Sequence, residues 1–171
     1  MTTNILLTGK PGIGKTTAIK RIVEKLDPDE FSGLYSREMR EGNKRVGFVL
    51  ETFSGKSGIL AHVNISSVHR VSKYGVNIKD INAIAVPELR LARETGKIII
   101  IDEIAKMELF SRLFADEVTK CLNTKRVLGT IQQGNHPFLN EIKSRPDVQL
   151  IELTTENRDQ IPMHVLKILK V

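Results

Sequence analysis

Residues 9–16 read Gly-Lys-Pro-Gly-Ile-Gly-Lys-Thr, the pattern G-x-x-x-x-G-K-[ST], and this feature restricts the possible folds of the chain more than any other. Such a loop works only between a strand and a helix. Its glycines let backbone N–H groups turn inward toward phosphate oxygens, and the unpaired donors of the helix start add positive potential. The flanking sequence meets that demand. Asn4–Thr8 is a short apolar run, and Ala18, Ile19, Ile22, Val23 and Leu26 recur at the spacing of one helical face. With glycine near 7% of residues in general, a chance match in a chain this long has a probability of roughly one in a hundred.

The residue types assign roles within the loop. Lys15 is expected to reach the β and γ phosphates of a triphosphate, and the Thr16 hydroxyl to ligate a magnesium ion bridging them. Gly12 and Gly14 supply the tight backbone, Pro11 stiffens it, Lys10 faces solvent or the γ-phosphate side, and Gly9 opens the expected nucleotide-binding segment. Ile13 and Thr17 complete the expected nucleotide-binding segment.

Further along, turn residues at 42–43 and 54–56 flank the β-rich run Val46–Phe53, and Gly58–Val63 follows, which predicts an antiparallel meander between Gly33 and Val63. Helices are expected over Val86–Thr95, with Pro87 in its first turn and Gly96 beyond its end, over Glu108–Leu122, over Pro137–Lys143 and over the last ten residues. The Glu108–Leu122 segment places Leu109, Phe110, Leu113, Phe114, Val118, Cys121 and Leu122 on one face. Strands are expected at 4–8, 97–101, 126–131 and 148–153, all buried at the centre of the sheet. This alternation predicts one three-layer α/β domain spanning residues 1–171, with a mainly parallel sheet covered on both faces and joined by right-handed crossovers.

Ile101 is followed by Asp102 and Glu103 at the end of a predicted strand. Ligands of open α/β sheets lie beyond the carboxyl ends of the strands, so all three residues are expected near the phosphate loop. Asp102 would hold magnesium, and Glu103 would orient or deprotonate an attacking water, making Glu103 and Lys15 the expected catalytic pair. Thr130 and Gln132, at the next strand end, are weaker candidates for sensing the γ-phosphate, and Arg158, beyond the last strand, for touching base or phosphate.

Composition excludes other classes. A net charge of +6 suits polyanionic ligands, but the basic residues form no dense stripe and there is no Trp, so nucleic-acid binding is set aside. The longest apolar run is far below the ~20 residues of a membrane span, and a soluble, cytoplasmic monomer is expected. Cys121 reads as a small buried hydrophobe, and the four histidines have no recognisable metal-ligand spacing.

Several segments together resemble the small nucleoside-triphosphatase family first described from thermophiles, whose animal members are called cancer-related nucleoside-triphosphatases. They are Gly9-Lys-Pro-Gly-Ile-Gly-Lys-Thr-Thr17, Gly33-Leu-Tyr-Ser-Arg-Glu38, Arg45-Val-Gly-Phe48 and Asp102-Glu-Ile-Ala-Lys-Met-Glu-Leu-Phe-Ser111. His136-Pro-Phe138, Arg145-Pro-Asp-Val148 and Glu156-Asn-Arg-Asp159 complete the set. The resemblance spans nearly the whole chain. It implies a RecA-like P-loop core and magnesium-dependent hydrolysis of several nucleoside triphosphates to diphosphate and phosphate, with nucleotide contacts at 9–16 and 98–105. It also marks Lys106 and Glu108 as a possible charged pair near the water. Ala105 stands where the family is expected to have Gly.

A nucleotide or small-molecule kinase remains the alternative, since the same loop serves transfer to an acceptor other than water. A GTP switch is disfavoured, because Asn43-Lys44 is followed by Arg45 and Val46 rather than by the guanine-reading Asn-Lys-x-Asp. Arg37, Arg112 and Arg145 are open candidates for an arginine that completes the site.

Overall fold

The computed structural model describes residues 3–170. Among the described residues nine strands form one sheet in the order β5-β6-β4-β3-β2-β7-β8-β1-β9. They are β1 (Asn4–Thr8), β2 (Phe31–Glu41), β3 (Lys44–Thr52), β4 (Ser57–His62), β5 (Arg70–Val71), β6 (Tyr74–Val76), β7 (Ile98–Ile104), β8 (Val127–Ile131) and β9 (Val148–Glu152). The block β2-β7-β8-β1-β9 is parallel throughout. β3, β4, β6 and β5 extend it as antiparallel strands. β8 lies between the strand that feeds the phosphate loop and the strand that carries Asp102 and Glu103, in keeping with the expected RecA-like arrangement.

Helices cover both faces. Ile5, Leu7, Ile100 and Leu128 pack in one core with α1 (Lys15–Val23) and α6 (Ile161–Leu169). Leu6, Ile99, Ile101, Val127 and Ile131 pack in the other, with α3 (Val86–Glu94), α4 (Arg112–Asn123) and α5 (Pro137–Lys143). The alternation follows the two-residue period of a strand. Asn4 is a polar residue buried in β1, and its side chain is fully used: it donates to Leu122 O at 2.9 Å and Asp147 O at 3.1 Å and accepts from Val127 N at 3.1 Å.

Four expectations need correction. The central parallel block has β2 as a fifth member, hydrogen-bonded to β7 from Phe31–Ile98 to Tyr35–Asp102. β9 is an edge strand and only half-buried rather than central. The helix expected from Val86 begins earlier, at α2 (Ile78–Asp80), and continues through a π-helical turn at Ile81–Ala85. Pro87, which has no N–H, falls where the hydrogen-bond register returns from π to α. Finally, the segment 108–122 is broken. Glu108–Phe110 is a 3₁₀ turn, Ser111 is extended, and its hydroxyl accepts from Phe114 N at 3.0 Å to cap α4. The break turns Leu113 outward, to 55% exposure.

Candidate active site

The phosphate loop takes its shape from three glycines with positive φ, Gly9 at 147°, Gly12 at 78° and Gly14 at 112°, where a side chain would be strained. Ile13 N donates to Lys10 O at 3.1 Å to close the turn, and Gly14 precedes α1 with no side-chain cap. The first N–H groups of α1 are therefore free to face a ligand. Ile13 tucks its side chain onto the core below the loop.

A cleft of about 540 Å³ opens above this loop. Gly9, Pro11, Gly12, Gly14, Lys15, Thr16 and Thr17 line it, together with Glu103, Glu108 and Gln132. Lys10 is exposed and is not among the lining residues. The Lys15 ammonium donates to Gly9 O at 3.1 Å and lies 3.6 Å from a Glu103 carboxylate oxygen. Asp102 is almost wholly buried and accepts from the Thr130 hydroxyl at 2.7 Å. The Asp102–Glu103 peptide bond is cis.

Burial raises the proton affinity of both carboxyls. For Asp102 the hydroxyls of Thr130 and Thr16 and the nearby Lys15 cation work against that rise. For Glu103 the Lys15 cation opposes it while the Asp102 charge adds to it. Glu108 is fully enclosed, and burial pushes its carboxyl up to about 8; one of its oxygens has no hydrogen-bond partner.

Of the residues expected from the sequence, Lys15, Thr16, Asp102 and Glu103 come together. Ile101 does not reach the cleft. Its side chain has no exposed surface and belongs to the core. Thr130 is likewise buried and acts on Asp102 rather than facing the cleft. The Gln132 side chain accepts from Lys106 N at 3.1 Å and so ties down the turn after β7. Ala105 lines the cleft beside it.

Arg158 is exposed and lines a separate hollow of about 260 Å³ against the outer side of the loop, with Gly12, Gly14 and Thr17. Among the open arginines, Arg37 borders the cleft and donates to Glu51 at 3.0 Å. Arg145 precedes β9, at the opposite end of the sheet, where it grips Asp147 with two bonds of 2.8 Å. Arg112 is not a lining residue of the cleft.

The sequence reading missed the meander's part in the cleft. Ser36, Glu38, Arg45 and Phe48 line it together with the loop. Their segments were visible as a resemblance, but no local pattern brings a meander over a distant loop.

Comparison with known proteins agrees with this geometry. A family model described as NTPase matches residues 4–166. The nucleoside-triphosphatase THEP1 of Thermotoga maritima is 44% identical over 167 residues, covering 97% of this chain and 95% of the relative. The human cancer-related nucleoside-triphosphatase is 36% identical, covering 94% of this chain and 93% of its own. The crystal structure of THEP1 from Aquifex aeolicus superposes with a TM-score of 0.88 at 40% identity, covering 98% of this chain and 99% of that one. A glycine-rich loop between a strand and a helix, two acids on β7 across β8 from it, and similarity to these proteins over nearly all of the chain lead to one assignment: the chain belongs to the NTPase family.

Proposed function

We propose that this chain hydrolyses nucleoside 5′-triphosphates, ATP, GTP, CTP and UTP alike, to diphosphate and phosphate in a magnesium-dependent reaction. The observation that carries this reading is the convergence of Lys15 and Glu103, 3.6 Å apart, at the far end of the phosphate loop. In this arrangement the Lys15 ammonium exchanges the Gly9 carbonyl and the Glu103 carboxylate for oxygens of the β and γ phosphates. Glu103, released from its cation, is then free to orient a water against the γ-phosphorus and take its proton. The partial burial that raises its proton affinity makes it a better base near neutral pH.

Thr16 and Asp102 are the residues that would hold magnesium. A hydroxyl beside a buried carboxylate gives two hard oxygen donors, the set that this ion takes together with substrate phosphates. Among the described residues no group of three or more His, Cys, Asp or Glu forms a complete metal cage, and a site finished by phosphates needs none. When bound, the ion supplies positive charge to the β and γ oxygens. Arg158 completes the nucleotide-binding set with Lys10, Thr17 and the loop backbone. It is exposed and offers a flat cation rather than a base-reading edge, which suits a broad choice of nucleobase.

The test is phosphate release from the four triphosphates with magnesium, with and without added acceptors, beside Glu103→Gln. The parent is expected to release phosphate from all four without an acceptor. Glu103→Gln should keep triphosphate binding and lose about 10²–10⁴-fold in turnover. Parent-like turnover in that variant would remove Glu103 from its role, and release that depends on an acceptor would make the protein a transferase.

A further inference from the structure

Three of the four cations that line the cleft already have an anion. The Lys15 ammonium lies 3.6 Å from Glu103, Arg37 donates to Glu51 at 3.0 Å, and Arg45 donates to Glu38 at 2.7 Å. The fourth, Lys106, forms no ion pair among the described residues. Glu108 does not serve it. That carboxyl is buried while Lys106 is exposed, and the charged pair that the resemblance suggested for these two residues does not form.

The backbone of Lys106 is held where a free cation has a use. It lies in the turn that follows β7, just beyond Glu103. That turn is fastened to the end of β8, because Lys106 N donates to the Gln132 side chain at 3.1 Å and Gln132 N donates to Ile104 O at 3.0 Å. The root of the side chain is therefore fixed, and only its flexible stem has to move to meet a ligand. A change of the Lys106 side chain leaves both of these bonds in place.

Hydrolysis makes a demand that the paired cations do not meet. As the water oxygen bonds to the γ-phosphorus, its proton passes to Glu103, and the electron pair of the breaking P–O bond leaves with the diphosphate. The three other γ-oxygens carry the charge of the transition state, with the Glu103 carboxylate as an anion beside them. A cation on the Glu103 side offsets both. We propose that Lys106 is a catalytic residue, whose ammonium binds the γ-phosphoryl oxygens from the Glu103 side, more tightly in the transition state than in the ground state. The chain thus carries within itself the charge that other phosphoryl-transfer sites take from an arginine. Arg37, the open arginine that borders the cleft, is tied to Glu51. This assignment rests on the reading above that the triphosphate lies along residues 9–16 with its last phosphate at Glu103.

The experiment compares the parent with Lys106→Ala and Lys106→Arg in three measurements, all with magnesium. They are phosphate release across triphosphate concentrations, calorimetric affinity for a non-hydrolysable triphosphate analogue, and affinity for nucleoside diphosphate with aluminium fluoride, which mimics the phosphoryl group in transfer. Lys106→Ala is expected to lose about 10²-fold in kcat with KM little changed. It should bind the fluoride complex at least about tenfold more weakly and the analogue as the parent does. Lys106→Arg, which restores the charge, should recover part of both losses. Parent-like kcat in Lys106→Ala overturns the assignment. So does an equal loss of affinity for the analogue and the fluoride complex, which marks a cation that only attracts nucleotide. Either result, with a parent that hydrolyses, leaves the hydrolase reading standing. A parent that releases no phosphate without an acceptor overturns both.

Discussion

A carboxyl group enclosed by protein, with one oxygen left without a partner, keeps its proton through neutral pH, and Glu108 is such a group at about 8. The native state then holds a proton that the unfolded chain releases near 4.5, so between those values stability falls as pH rises. The loss is complete only above about 8. Replacing the acid by its neutral isostere, Glu108→Gln, should flatten this slope by roughly 1.4 kcal/mol per pH unit, measured as urea unfolding free energies between pH 5 and 8. Thr130 acts in the opposite sense on Asp102: its hydroxyl is a bond of 2.7 Å to a buried carboxylate. Thr130→Val is expected to cost about 1–3 kcal/mol of stability by denaturant titration, and to raise the proton affinity of Asp102 further. The sequence made Lys15, Thr16, Asp102 and Glu103 legible because each belongs to a local pattern with one chemical reason. The burial of Glu108 was not legible, because it depends on how the chain turns between Ala105 and Ser111.

At the scale of the element, the position of the acids depends on glycines far from the loop. Gly33 on β2 and Gly129 on β8 flank β7 at Ile100 and Ile101. A Cβ at Gly129 would lie 2.2 Å from the Ile101 carbonyl oxygen, so backbone would have to move. Gly129→Ala should therefore cost about 1–3 kcal/mol and, by shifting the strand just before Asp102, reduce phosphate release as well. Thermal unfolding and the phosphate assay on one preparation would check both. Helices with a clear apolar period were read well, and the failures were at their starts. The continuous face expected over 108–122 ignored the ability of Ser111 to cap a new helix, a signal present in the sequence and outweighed there by Leu109, Phe110 and Leu113. The early helical start at Ile78 had a matching sign in Asn77, whose side chain accepts from Asp80 N.

For the whole molecule, ligand binding to the native state alone adds stability by mass action. Magnesium with a non-hydrolysable triphosphate at about a hundred times its Kd should add ~2.7 kcal/mol. A chain of this length would show that as a rise of roughly 5–10 °C in Tm. Lys15→Ala should lose the rise, and a parent-like shift in that variant would remove Lys15 from the phosphate site. The layered architecture was legible because strands and helices alternate, but strand order was not. β9 lies at an edge and β2 joins the parallel block because of long-range pairing that no local window contains. The place of β2 has a further consequence. It offers one edge to the strand of the acids and the other to the meander, so the meander is also a cover for an 11-residue strand. A shortened chain without residues 42–77 would keep the phosphate loop and both acids. It would also present a long row of unpaired backbone donors and acceptors, which recruits other strands. The smallest piece that contains the chemistry is therefore not the smallest piece that stays in solution.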